Sequence, residues 1–422
     1  MATRLIFIIL LVLCAARAGA ETTVIHAGRL IADPGAAPMG PATITVEDGR
    51  IVSVSPGHAA PPEGARLVDL GDKTVLPGLI DLHVHLTGDP GRDYRDAATT
   101  PPEWGVVLGV KNARLTARAG FTTVRDAGSA QYTAFALRRG TAEGIIPGPR
   151  ILAAGPALSI IGGHGDVSGF RAEVQEVLRT GYTCTGPVEC AAKVRRASQN
   201  GADVIKITAT GGVLSQQGRG LEAHFTDSEL KAIADAAHSL GLKVMAHAHG
   251  ARGIEAAARA GIDTIEHGTF ADEAALRAMK AGGAYLVPTL MPFVAVAERL
   301  GTGVYTPVVE DKIRMTLGSL GRSVARAREL GVPIAFGTDS GVYEHGRNAE
   351  EFQLLVDAGL TPREALVSAT LTAAEALGMA NEIGRIAPGY SADIIAVAGD
   401  PLADARVLQK VDYVMVRGRE IE

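Results

Sequence analysis

Short apolar runs rich in β-branched residues, each closed by glycine or another small residue, alternate along most of the chain with stretches of helical period. The runs at 79–86, 122–126, 150–154, 204–208, 243–247, 264–267, 285–289 and 333–339 read as buried strands. Between several of them, apolar positions recur every three or four residues, at 227–240, 253–260, 272–281 and 319–330, which predicts helices. Strand and helix alternating in this way is the signature of a parallel α/β architecture, and eight strands is the number a (β/α)8 TIM barrel needs. A doubly wound sheet is the competing architecture. It separates the ends of its first and fifth strands unless they flank the switch point, so the barrel fits better once the polar residues are placed.

Both ends of the chain carry a different pattern. The segments 23–30, 42–54, 392–397 and 411–418 alternate or run apolar like short strands, and Asp48-Gly49 is a strong hairpin turn. Residues 21–75 and 388–422 are therefore expected to pair into a small β-sandwich beside a hydrolase-type barrel spanning 76–387. Residues 1–20 stand apart, with Arg4, an apolar core too short to span a bilayer comfortably, and Ala18-Gly19-Ala20. This is the pattern of a secretory signal peptide cleaved before Glu21, so the mature chain is expected in the periplasm or outside the cell. Leu13 is too bulky for the usual lipoprotein pattern around Cys14. Export makes a local disulfide between Cys184 and Cys190 a fitting expectation, with two free thiols as the alternative.

The placement of histidines changes the picture most. Six of the eleven (His83, His85, His164, His247, His249 and His267) close short apolar runs, and Lys206 and Asp339 do the same. His83 and His85 lie two apart on one strand, so both imidazoles face the same way and can reach one metal ion. In a barrel the carboxyl ends of all strands converge on one face, which gathers these residues into one site. Arg125-Asp126 reads as a buried ion pair at the barrel rim, and Asp81 as a hydrogen-bond partner behind the histidines. The irregular stretches 88–103 and 214–224 follow barrel strands and are expected as substrate loops, with Arg219 and His224 as candidates to hold a substrate carboxylate.

Composition narrows the classes without naming one. With 47% hydrophobic and 21% charged residues the chain of 422 residues is no disordered segment, and its length accommodates a barrel plus a small β unit. A net charge of −5 leaves no electrostatic footprint for nucleic acid. Arg138-Arg139 and Arg195-Arg196 are solvated helix faces, and Gly211-Gly212 lacks the spacing of a phosphate loop.

The ordered set His-x-His (His83, His85), Val-Ile-Lys-Ile (Lys206), Met-Ala-His-Ala-His-Gly (His247), Ile-Glu-His-Gly (His267) and Phe-Gly-Thr-Asp-Ser (Asp339) resembles the amidohydrolase superfamily over nearly the whole mature chain. Lys206, together with Gly-Gly-His-Gly at 162–165, makes it most similar to the two-metal branch of imidazolonepropionase-like hydrolases, Xaa-Pro dipeptidases and ochratoxinase. The resemblance implies two divalent ions of zinc type. His83, His85 and Asp339 would hold one and His247 and His267 the other, with Lys206 carbamylated as the bridging ligand. It further implies attack on a carboxamide by water activated between the ions, with Asp339 as proton shuttle. His164 would polarise the carbonyl oxygen, and His249 would either orient a ligand or touch substrate.

The resulting expectation is a metal-dependent amidohydrolase acting on a dipeptide or N-acyl amino acid, ochratoxin A among the testable substrates. The alternatives are a cyclic-amide hydrolase or deaminase on the same scaffold and, in another class, a non-catalytic binding or metal-holding protein. The partner expected is a small molecule, with no nucleic acid and no membrane contact of the mature form, and the assembly expected is a homo-oligomer.

Overall fold

The structure, a computed structural model, describes residues 22–91, 94–215 and 220–422. The export segment with its cleavage point, Cys14 and Arg219 lie outside the described residues. The strands described are β1 (Thr23–Leu30), β2 (Ala42–Glu47), β3 (Arg50–Pro56), β4 (Arg66–Pro77), β5 (Leu79–Val84), β6 (Phe121–Asp126), β7 (Arg150–Ala153), β8 (Val204–Thr208), β9 (Lys243–Ala248), β10 (Thr264–His267), β11 (Tyr285–Val287), β12 (Ile394–Val397), β13 (Val411–Val416) and β14 (Arg419–Glu420).

Runs without polar alternation form strands covered on both faces, and β5, β6, β8 and β10 are buried at every position. β5, β6 and β7 make one parallel sheet, and β8 to β11 make another. Backbone hydrogen bonds join them at both edges. Leu158 N donates to Lys206 O at 2.8 Å and Thr208 N to Leu158 O at 3.0 Å, while Leu286 N donates to Pro333 O at 2.9 Å and His85 N to Ser340 O at 2.8 Å. The arrangement is a TIM-barrel-like α/β fold.

The segment 333–339, expected as the eighth strand, forms isolated bridges in place of a continuous ladder, Leu286 with Ile334 and Val84 with Ser340. Asp81 supplies part of the reason. Its Oδ1 accepts from both His83 N and Thr338 N at 3.1 Å, and its Oδ2 accepts from Thr338 Oγ1 at 2.6 Å and Asn348 Nδ2 at 2.9 Å. The side chain shares Thr338 N with a strand partner, His83 O at 3.3 Å, while Phe336 N leaves the ladder for Ser368 O at 3.0 Å, and the segment turns at Asp339, whose φ is 56°. β11 is shorter than the expected 285–289 because Thr289 also turns left-handed, at φ 46°.

The terminal segments pair, and their hydrogen bonds make one mixed seven-stranded sheet, ordered β14-β13-β12-β4-β1-β2-β3, with β3 bonded back toward the start of β12 through Ile51 N and Tyr390 O at 2.9 Å. The twelve-residue β4 is the cause: it runs parallel to β1 and antiparallel to β12, so both chain ends join the same sheet. Its register with β1 shifts at Gly28, where a Cβ would lie 2.2 Å from Gly71 O. Ile25, Ile44, Ile394 and Met415 from this sheet share one apolar cluster.

The helices carry their own punctuation. Asp227–His238 opens with a full capping box, Thr226 accepting from Glu229 N and Glu229 returning the bond. Glu273–Gly282 is capped by the Asp272 carboxylate and closes on Gly283 in the left-handed region, where a β-branched residue would be strained. Ala251–Ala260 turns Ile254, Ala257 and Ala258 to the barrel, so its contribution comes from one buried stripe, at roughly 25 cal/mol per Å² of apolar area covered. Among the described residues no helix is long and apolar enough to cross a membrane. Cys184 and Cys190 form a disulfide across the turn that precedes the helix Pro187–Gln199.

Candidate metal centre

The residues singled out from the sequence come from strands and loops far apart in the chain, yet converge on one cavity of about 230 Å³ at the carboxyl ends of the parallel strands. Its lining includes His83, His85, His164, Lys206, His247, His249, His267 and Asp339, with Val213, Leu214, Phe293, Val296 and Val342 as an apolar wall.

Two sets of donors stand out. Ligand atoms of His83, His85 and Asp339 lie within 4.8 Å of one another, and so do those of His247, His249 and His267. In the first set Asp339 Oδ1 is 3.4 Å from His83 Nε2 and 3.2 Å from His85 Nε2. Lys206 Nζ sits 3.4 Å from His83 Nε2, and the His83 and His267 rings are 5.2 Å apart, so the lysine stands where the sets meet. In the second set the His247 ring centroid is 4.5 Å from that of His249 and 4.6 Å from that of His267.

Each ring is fixed by a bond from its other nitrogen. His83 Nδ1 lies 2.8 Å from Glu266 Oε2, His85 Nδ1 2.9 Å from Gly128 O, His267 Nδ1 2.6 Å from Thr289 Oγ1 and His249 Nδ1 2.8 Å from Thr269 Oγ1. These contacts leave Nε2 of each ring toward the cavity, the arrangement that suits a metal ligand. His247 differs, its Nε2 lying 3.2 Å from Gly211 O. The backbone is bent to serve the site: His267 and Asp339 hold φ of 70° and 56°, a conformation non-glycine residues seldom adopt, at the points where the strands end. Close approach needs glycine in two places. A Cβ on Gly212 would lie 2.2 Å from the His164 ring, and one on Gly341, at φ 113°, 2.8 Å from His85 Cβ.

Electrostatics sort the two sets. Burial, reinforced by neighbouring imidazoles, pulls His247 and His267 well below the usual histidine range, and burial with the Lys206 charge does the same to His83. Burial also works against protonated His85, but the hydrogen bond and charge of Asp339 outweigh it and the net shift is upward. Asp339 is held below its ordinary value, because the charges of His83, His85 and Lys206 overcome the cost of burial. Lys206 is pulled down to about 8 by burial. Its ammonium cannot bind a cation, whereas its amine, freed more readily than that of an exposed lysine, can acquire an anionic group. Imidazoles that burial keeps neutral at His83, His247 and His267, an ionised carboxylate and a depressed lysine are a donor set that fits a pair of divalent ions.

Several residues escaped the sequence reading. Glu266, fully buried, links His83 to Arg125, whose Nη2 lies 2.9 Å from Glu266 Oε1 and whose Nε donates to Leu82 O at 2.6 Å. The ion pair expected within Arg125-Asp126 is therefore replaced by one across the barrel. Alternation on β6 sends neighbouring side chains to opposite faces, and Asp126 accepts from Leu86 N at 2.9 Å. A glutamate in the middle of a short strand read as buried, Thr-Ile-Glu-His, was the signal that could have exposed this link. Lys312, also buried, donates to Gly212 O at 2.9 Å and to Ser215 O, pinning the loop beside His164. Ser215 Oγ lies 2.6 Å from His164 Nδ1, while Asp166 Oδ2 accepts from Gly162 N at 2.8 Å. The His164 ring is 4.3 Å from that of His247, and His224 is near enough to help burial and Lys206 draw His164 down to about 3.

Residues 74–421 match the model of the amidohydrolase family. The ochratoxinase of Aspergillus niger is 34% identical over 416 residues, covering 93% of this chain and 84% of its own. A Xaa-Pro dipeptidase solved with methionine bound in its active site superposes with a TM-score of 0.90 at 37% identity, over 95% of this chain and all of the other. A prolidase complexed with N-methylphosphonate-L-proline gives 0.87 at 32% identity, over 95% and 100% of the two chains. With its paired donor sets carried on such a scaffold, this chain is a hydrolytic enzyme and belongs to the amidohydrolase family.

Proposed function

We propose that the protein is a two-metal amidohydrolase that releases an amino acid from a dipeptide or N-acyl amino acid whose acyl portion is apolar. One observation carries the reading: two trios of metal-type donors meet at Lys206, at the floor of a cavity walled on its other side by Phe293, Val296 and Val213. In this reading the two parallel sheets and the bridging segment 333–339 act as one (β/α)8 barrel, bounded near residues 76 and 387, with the terminal strands as a scaffold.

His83, His85 and Asp339 would hold one ion, His247 and His267 the other, and Lys206, as a carbamate, both. Carbamate formation joins the Lys206 amine to carbon dioxide and releases one proton, which the depressed lysine makes favourable near neutral pH. When bound, the ions supply a water activated near pH 7 and a polarised carbonyl. Asp339, kept ionised, accepts the proton of the attacking water and returns it to the leaving nitrogen, without which an amide does not cleave. His164, kept neutral, donates a hydrogen bond to the developing oxyanion, its Nδ1 held by Ser215. The Phe293 ring, 6.0 Å from that of His249 and 6.3 Å from that of His267, places apolar substrate surface against the donors.

Similarity to the ochratoxinase and to the dipeptidase structures supports linear amides over cyclic ones, and ochratoxin A joins the substrate set for this reason. The buried disulfide is a bond that an oxidising compartment sustains, which supports export of the mature chain. Assembly as a homo-oligomer belongs to the same reading and is checked by light scattering. The deciding experiment is a panel of dipeptides, N-acyl amino acids and ochratoxin A assayed with zinc and bicarbonate. Turnover of apolar acyl substrates that disappears in Asp339→Asn is expected. Cleavage of none of them by metal-loaded protein would overturn the proposal in favour of a metal-holding protein.

A further inference from the structure

A second cavity, of about 310 Å³, opens where the terminal sheet meets the start of β7 and shares no lining residue with the donor-lined one. Its lining includes Arg50, Arg150, Arg417 and Arg419 and the carboxylates of Asp48 and Glu382. Arg150 is the first residue of its strand, so this cavity lies at the amino ends of the barrel strands, while the imidazoles gather at the carboxyl ends. Its arginines are not alike. Arg150 is engaged at both terminal nitrogens, Nη1 at 3.0 Å from Glu382 Oε1 and Nη2 at 3.1 Å from Ser391 Oγ and 3.4 Å from Asp393 Oδ2. Arg50 Nη1 donates to Gly389 O at 2.9 Å. In contrast, the Nε donors of both Arg417 and Arg150 are buried without a hydrogen-bond partner, a state that costs free energy unless something supplies an acceptor.

The backbone presents Arg417 deliberately. The turn Asp48-Gly49 packs against the turn Arg417-Gly418 so closely that a Cβ on Gly418 would lie 2.6 Å from Gly49 Cα, and one on Gly49 would lie 2.7 Å from Arg417 O. Asp48 and Arg417 both hold positive φ, 48° and 50°, which non-glycine residues adopt at some cost in strain. Arg417 N donates to Asp393 Oδ1 at 2.9 Å, which anchors the turn and leaves the guanidinium to the cavity. Counting Asp393 with Asp48 and Glu382, four arginines face three carboxylates, and burial with the neighbouring Arg150 charge makes Arg417 the cation most in need of an anion.

We propose that this cavity binds a tetrahedral oxyanion, inorganic phosphate or a phosphate monoester, held by the guanidinium groups of Arg417 and Arg419 that line it. A guanidinium edge matches two phosphate oxygens, and among the described residues neither Arg417 nor Arg419 is committed to an ion pair, although both line the cavity. Glu382 and Asp393 do not compete for these groups, since they are turned to the terminal nitrogens of Arg150.

The test is calorimetric titration of the full-length, metal-loaded protein with inorganic phosphate in chloride buffer of low ionic strength. Saturable binding is expected. Arg417→Gln should weaken it at least tenfold and Arg417→Lys less, with amide hydrolysis unchanged. Phosphate can also bind metal ions, so the protein freed of metal by dialysis against chelator is titrated in parallel and should bind at this cavity as the metal-loaded protein does. If Arg417→Gln fails to fold, Arg419→Gln carries the same comparison. Absence of saturable binding, binding indifferent to Arg417 and Arg419, or acetate binding as tightly as phosphate would each overturn the proposal, and none of them bears on hydrolysis at the other end of the barrel.

Discussion

The two donor trios differ in charge more than in geometry. His83, His85 and Asp339 include an anion held ionised and an imidazole whose proton affinity is raised, whereas His247, His249 and His267 are three imidazoles that burial keeps neutral. The first trio can both bind a cation and handle a proton. The second can bind but brings no negative charge of its own. In the proposed reading it would take its anion from a carbamylated Lys206, which would account for a lysine between the trios on β8.

Removing the anion of the first trio should have the largest effect. Asp339→Asn keeps the shape and loses the proton acceptor, so kcat should fall by about 10²–10⁴ with bound metal partly retained. Activity unchanged within a factor of three would assign the shuttle elsewhere.

Next is the lysine. Lys206→Met should cost the second trio most of its metal, read as ions per chain after dialysis, while the first trio keeps part of its own. The pH dependence sharpens this. In metal-free protein the amine titrates at about 8 against an ordinary 10.5, so its folded form binds a proton less tightly than the unfolded chain. Burial of Lys206 therefore penalises the metal-free fold below about pH 8, and the penalty fades as pH rises toward 10.5. The melting temperature of metal-free Lys206→Met should exceed that of wild type at pH 7, and the gap should close between those two values. A gap independent of pH would mean that Lys206 is not an unpaired buried base.

Glu266→Gln acts on the first trio alone through His83. Metal affinity there should drop about 10–100-fold, and stability should also fall because Arg125 loses its buried counter-charge. Competitive titration with a chromophoric chelator separates the two trios, and equal weakening of both would refute the assignment. The smallest effect is expected from His249→Gln. A KM that rises with metal content intact makes His249 a substrate contact, while lost metal makes it a third ligand of the second trio.

Much of this site was legible in the sequence because its candidate donors close apolar runs, and a parallel barrel-like fold translates the end of a strand into a place on one face. His83, His85, Lys206, His247, His267 and Asp339 were all found by that rule. Contacts running across the barrel interior obey no local rule. Arg125 finds Glu266 rather than its neighbour, and Asp81 reaches Thr338 and Asn348, more than two hundred and fifty residues away in sequence. The same long-range bonding hid the irregularity of 333–339, whose apolar pattern is that of a strand while Asp81 shares Thr338 N with its ladder. Pairing of the terminal segments was legible from alternation, but their union in one sheet rests on the length of β4, which a gap between apolar stretches conceals.

The central claim is best tested by diffraction from crystals grown with zinc and bicarbonate, using anomalous scattering at the zinc edge. Two peaks are predicted, one among His83, His85 and Asp339 and one beside His247 and His267, with density for a carboxylate extending from Lys206 Nζ toward both. A single peak, or two peaks with an unmodified lysine pointing away from them, would contradict the account.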